Sequence, residues 1–200
     1  MEAGNFMQSS STLPELGICS PAAQAYAAYW NALPKVGLIP PRSSFDPADL
    51  PSILPGFAVH EFVSPDNILV RLSGSAVVER FGYEMTGKNY LSNFESSRQH
   101  KVYDALSRII DCPCGLLVHV RMFRESGVTI DYEVLGFPFR SEHGIANLAI
   151  YHTETLNSRP KLAPPDDRRK DSLPLRRMYI DIGAGIPNWD YSREPERFAS

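Results

Sequence analysis

Cysteine is scarce in this chain of 200 residues, with three thiols at Cys19, Cys112 and Cys114. An odd number without repeated spacing excludes a disulfide framework. Cys112-Pro113-Cys114 lacks the second pair that a four-ligand structural zinc site needs, so the thiols read as ordinary side chains and no metal ligand is assigned. Long apolar runs are missing too: Ile145-Ala146-Asn147-Leu148-Ala149-Ile150 is far short of the ~20 residues that span a bilayer. The first twelve residues are polar and lack the basic start and apolar centre of a secretion signal, which leaves the cytoplasm as the expected compartment. Basic charge is not in excess. A formal net charge of -3 argues against a dedicated nucleic-acid binder. The Gly183-Ala184-Gly185 pair lacks the third glycine and the following helix of a dinucleotide site. No constellation of nucleophile, base and acid stands out, so the chain is not expected to be an enzyme.

What is present is a patterned middle between two less regular ends. Residues 1–19 form a Ser-rich leader. Ser20 and Pro21 then open a helix as cap and first residue, and Pro34 stops it. Along that helix Tyr26, Tyr29, Trp30 and Leu33 fall on one stripe, which either packs on the domain or pairs with a second copy. The segment up to residue 56 carries five prolines and excludes a long helix or central strand. Within it Asp46-Pro47 starts a short helical turn, and Arg42 stands four residues before Asp46 as an expected ion-pair partner.

Residues 57–152 carry the domain. Two strands, at 57–63 and 68–73, flank the turn Ser64-Pro65-Asp66-Asn67. A short helical piece with Val77, Val78 and Phe81 ends at Gly82. A longer helix over 95–111 buries Val102, Leu106, Ile109 and Ile110. Three strands follow, at 116–123, 128–139 and 145–152. Alternation turns Val118, Val120, Ile130, Tyr132 and Val134 to the core and places His119, Asp131 and Glu133 opposite. The second of these strands becomes apolar on both sides through Leu135, Phe137 and Phe139, and Pro138 implies an edge position or a bulge. Residues 153–200 read as a C-terminal extension, with a solvated charged run at 166–171 and a late strand near 176–185. The fold class is α+β: a five-stranded antiparallel sheet with connecting helices, a leading helix and an extension.

Several short motifs carry a resemblance to a known family. They are Tyr29-Trp30, Pro41-Arg42-Ser43-Ser44-Phe45-Asp46-Pro47, Leu54-Pro55, Val70-Arg71-Leu72-Ser73-Gly74-Ser75, Phe81-Gly82 and Thr86-Gly87-Lys88. Together, over about residues 25–152, they resemble a bacterial family of single-domain PAS-like proteins. The resemblance implies a sheet and helices that enclose a small cavity, and a role in signal transduction, with no catalytic motif to transfer. Arg71 within its strand then needs a partner, Asp46 or Glu61.

The functional expectation is a sensory or regulatory module that binds an unidentified small molecule, a signalling protein, or both. Val102, Leu106, Val118, Val120, Ile130, Tyr132 and Leu148 are its candidate cavity walls, with a filled core as the competing reading. No cofactor is expected: His100, the one histidine on the long helix, has the polar neighbours Gln99 and Lys101, which speaks against haem. No kinase, cyclase or DNA-binding segment is recognised, so output is expected through protein contact. The alternatives are a scaffold that dimerises through Tyr26, Tyr29, Trp30 and Leu33, and a small-molecule enzyme using the cavity.

Overall fold

The structure is a computed structural model that describes residues 17–157 and 167–188. Helix α1 (Pro21–Ala32) starts as its sequence dictates. Ser20 Oγ accepts the Ala23 amide at 2.9 Å, and Pro21 takes the first helical position. Leu33, ahead of Pro34, is extended and ends it. The proline-rich segment folds into three single 3₁₀ turns, Arg42–Ser44, Pro47–Asp49 and Leu54–Gly56. The expected Arg42–Asp46 ion pair does not form. Asp46 is engaged in capping the Ala48 amide at 2.9 Å, while Arg42 Nη1 donates to the Phe45 carbonyl at 3.1 Å and its guanidinium lies over the Phe45 ring.

Next come β1 (Phe57–Ser64), β2 (Asn67–Ser73), α2 (Ser75–Phe81) and α3 (Ser96–Asp111). Gly82 closes α2 in the left-handed conformation at φ 81°. The chain then runs through β3 (Cys114–Arg124), β4 (Thr129–Phe139), β5 (Leu148–Asn157) and β6 (Arg169–Asp181). All six strands form one antiparallel sheet in the order β2-β1-β5-β4-β3-β6. Arg71 on β2 pairs with Glu61 on β1, with 57% of its side chain exposed. Replacing Arg71 by alanine is therefore expected to cost less than about 1 kcal/mol, read as a small shift of the urea midpoint.

The sheet has one strand more than the sequence pattern indicates. The boundary after residue 152 falls inside β5, and β6 pairs with β3 from Cys114–Asp181 to Arg124–Arg169. Its proline, Pro174, is tolerated because β6 is an edge strand. The charged run at 166–171 is no solvated linker in its described part, and from Arg169 onward it belongs to β6. Asp167 is buried, its carboxylate accepting the Ser126 amide at 3.0 Å and the Ser126 hydroxyl at 2.7 Å, while Arg124 Nη1 donates to the Asp167 carbonyl at 2.7 Å. Asp166 and Pro160, Pro164 and Pro165 lie outside the described residues. Pro138 sits on a central strand, yet locally at an edge, because the β3–β4 ladder ends at Leu116–Gly136.

Both faces of the sheet are covered. On the inner face, α2, α3 and the loop through Leu91 pack on Leu116, Val118, Val120, Tyr132 and Tyr151. On the outer face, α1 and the 3₁₀ turns pack on Leu117, Leu135, Phe137, Phe139 and Ile150. Tyr26 and Trp30 are buried there. The Tyr26 hydroxyl donates to the Ile150 carbonyl at 2.8 Å, and Trp30 stacks on Phe137 at 4.5 Å. They are thus consumed by the chain's own sheet and cannot serve a dimer. Tyr29 and Leu33 are half-buried against the same cluster.

Candidate ligand cavity on the inner face

The inner core is not completely filled. A cavity of about 60 Å³ lies between β1, β4 and β5 on one side and α2, α3 and Tyr90 on the other. It is larger than the ~10–15 Å³ that admits one water, and smaller than the ~150 Å³ apolar cavity that takes up benzene. Its walls are mostly apolar and aromatic, including Val77, Phe81, Met85, Leu106 and Tyr132. The side chains of His60, Tyr90, Tyr132, Tyr151 and Thr153 bring polar groups to those walls. His60 on β1 and Tyr151 on β5 sit with ring centroids 4.9 Å apart, and Tyr90 packs on His60 at 4.6 Å.

His60 and Tyr151 are neutral and short of partners. Burial pulls the His60 imidazole down to about 3 and pushes the Tyr151 phenol far up. His60 Nδ1 and the Tyr151 hydroxyl are buried without a hydrogen bond within the protein, an arrangement that costs about 1–3 kcal/mol per group unless something else satisfies it. One wall is better served. Thr153 receives Arg80 Nη1 at 2.6 Å and donates to the Gly56 carbonyl at 3.0 Å, and the Arg80 guanidinium lies over the Tyr132 ring. Arg80 is itself buried without a carboxylate partner among the described residues.

Tyr151 owes its place to Gly136. The two are cross-strand partners, and a Cβ on Gly136 would collide with the Tyr151 ring. Gly136→Ala is expected to drive that ring off β4 toward the cavity and to cost about 1–3 kcal/mol, read from urea unfolding.

The sequence matches the profile of a family described as PAS domain over residues 18–150. The chain belongs to the PAS domain family. None of the curated proteins matches it. Among solved structures, the Rhodobacter sphaeroides LOV protein is similar with 13% identity and a TM-score of 0.40, over 58% of this chain and 71% of that one. The light state of the Aureochrome1 LOV photoreceptor gives 14% and 0.38, over 56% and 88%. VqmA bound to DPO gives 14% and 0.40, over 55% and 56%. Likenesses this distant transfer neither ligand nor partner.

Of the seven wall residues expected for the PAS cavity, Leu106 and Tyr132 line it. Val118 and Val120 are buried in the inner core beside it, and Val102 packs against that core. Ile130 is half-buried near the far end of β4, outside the lining. Leu148 is on the wrong face: it belongs to the outer cluster with Leu135 and Phe139, and on β5 it is Tyr151 and Thr153 that face the cavity. Cys112 and Cys114 lie outside the lining. His60 and Tyr151 were missed because each sits in an apolar stretch whose partners across the sheet cannot be read from one strand. The available signal was a histidine and a tyrosine on strands otherwise made of core residues.

A second polar group went unrecognised on the outer face. Glu133 is buried, since α1 and the turn before it cover the side expected to be wet. Its carboxylate accepts the Cys19 amide at 2.7 Å and the Ser20 amide at 3.0 Å, at the start of α1, where free amides favour an anion. Nearby on β5, His152 is buried with neither ring nitrogen bonded, and burial pulls it down to about 4.

Proposed function

We propose that this PAS domain is a sensory or regulatory module, rather than an enzyme, whose inner cavity captures a small, mostly apolar molecule bearing one polar group. The observation that carries the reading is an apolar cavity of about 60 Å³ whose wall includes His60 and Tyr151, two side chains that each keep a buried polar atom, Nδ1 and Oη, without a hydrogen-bond partner within the protein. A neutral imidazole and a phenol together offer both donor and acceptor capacity, so a hydroxyl or carbonyl group suits them. The volume sets the size: a molecule of a few heavy atoms fits, whereas the ~300–1,000 Å³ usual for cofactor sites is not available. Occupancy would be transmitted by contact with a partner protein from the helices that wall the cavity.

The reading is tested by calorimetry with short-chain alcohols and ketones on the intact chain and on Tyr151→Phe. Saturable binding by the wild type, weakened about tenfold in Tyr151→Phe, is the expected result, in line with the loss of one hydrogen bond. Binding that is absent throughout the series, or indifferent to Tyr151→Phe, would refute the assignment.

A further inference from the structure

On the opposite face of the sheet three side chains of unlike chemistry converge. Cys19 Sγ lies 3.9 Å from His119 Nε2, and His119 Nε2 lies 3.0 Å from Glu133 Oε2. All three donor atoms fall within 4.8 Å of one another. They come from three elements: the segment before α1, strand β3 and strand β4, with His119 and Glu133 directly opposite each other in the ladder. Sequence distance hid the group, since Cys19 stands a hundred residues before His119.

We infer that Cys19, His119 and Glu133 form a binding site for a zinc-type divalent cation. Tetrahedral zinc, with bonds of about 2.3 Å to sulfur and about 2.0–2.1 Å to nitrogen and oxygen, places its sulfur and nitrogen ligands about 3.5 Å apart and its nitrogen and oxygen ligands about 3.3 Å apart. The observed 3.9 and 3.0 Å need adjustments of a few tenths of an ångström. The donor set selects the metal. A thiolate with an imidazole and a carboxylate suits zinc or cobalt, whereas magnesium and calcium require oxygen ligands throughout.

The supporting shell is already in place. The buried carboxylate is held by the Cys19 and Ser20 amides, and the first of these bonds brings the cysteine to it. Cys19 is exposed, which gives a metal its path of entry. A polar relay for nucleophilic catalysis is not what the geometry offers, because the thiol and the carboxylate both address the same imidazole nitrogen, Nε2. On metal binding the thiol proton passes to solvent, the proton of the Nε2–Oε2 hydrogen bond is exchanged through solvent for one on Nδ1, and the cation takes the place between Nε2 and Oε2. Three protein ligands leave a fourth position for water or a small anion. Arg176, the cross-strand partner of His119, stands beside Gly17 at the rim. The metal ties the turn before α1 to β3 and β4, so its occupancy governs how firmly the start of α1 is seated.

The test is titration of the chelator-treated full chain with cobalt(II), followed by zinc. The expected result is one cobalt per chain, with a near-ultraviolet sulfur-to-cobalt band and strong tetrahedral visible bands, both removed by zinc. Cys19→Ser abolishes the sulfur band, Cys112→Ser retains it, and His119→Gln weakens affinity by at least about 100-fold, beyond the roughly 10–100-fold cost of an outer partner. X-ray absorption on the zinc-loaded wild type is independent of any variant's folding and should show one sulfur at about 2.3 Å with nitrogen or oxygen at about 2.0 Å. Absence of stoichiometric binding, a sulfur band that survives Cys19→Ser, or a zinc shell without sulfur would each overturn the site.

Discussion

Acidification from about pH 7 to about pH 5 is expected to cost the folded chain roughly 3–4 kcal/mol through two histidines alone. An unfolded histidine takes up its proton near pH 6.5. Folded, His60 does so near pH 3 and His152 near pH 4, because both are buried. Between these values the unfolded state holds more protons, so stability falls as the pH drops. It is fully present above about pH 6.5. Each histidine contributes one proton over about 1.5 pH units by pH 5, at about 1.4 kcal/mol per unit. His60 packs on the rings of Tyr90 and Tyr151, neither charged in this range, and burial is the cause of its shift. His152 sits by Tyr26 and Phe57, with Arg80 opposing its protonation and Glu133 favouring it. Urea titrations at a series of pH values give the slope directly. His60→Phe should lower that slope by about one proton, and a wild type whose stability is flat over this interval would contradict the burial of both rings.

Trp30→Ala is expected to cost about 3–5 kcal/mol, a large share of the ~5–15 kcal/mol that holds a typical domain folded. The indole is buried, stacks on Phe137 at an interplanar angle of 13°, donates to the Pro138 carbonyl at 3.3 Å and carries Lys35 over its ring at 4.6 Å. Its loss leaves a void over the end of β4, where the strand lacks a β3 neighbour and the indole serves as its cover. The comparison with Arg71→Ala, which removes an exposed ion pair, separates packing from charge by their sizes. The same urea experiment reads both, and a loss below about 1 kcal/mol for Trp30→Ala would mean that α1 does not rest on the sheet.

Local signals made most of the fold legible. Ser20-Pro21, Asp46-Pro47 and Gly82 mark element ends through backbone chemistry that acts within a few residues, and each is found where its sequence places it. Alternation gave the strands and the inner faces of β3 and β4. It failed where burial comes from elements distant in sequence. His119, Asp131 and Glu133 look like a wet face until α1 and the turn before it cover Glu133, and Leu135, Phe137 and Phe139 were the sign that this face is also packed. Residues 169–181 mix charges with apolar residues and contain Pro174, a pattern that suits an edge strand as well as a linker, so only the pairing with β3 decides it. The site was less legible than the fold. Leu106 and Tyr132 could be found on helix and strand periodicity, but His60 and Tyr151 become a pair only when β5 is laid beside β1.

Nuclear magnetic resonance of the histidine ring nitrogens during titration with a short-chain alcohol tests the sensor reading most directly. The account predicts a neutral His60 whose Nδ1 resonance moves saturably as the alcohol fills the cavity, with amide shifts concentrated on β1, α2 and β5. A His60 signal that stays fixed while the alcohol binds elsewhere, or that titrates like an exposed imidazole, would contradict it.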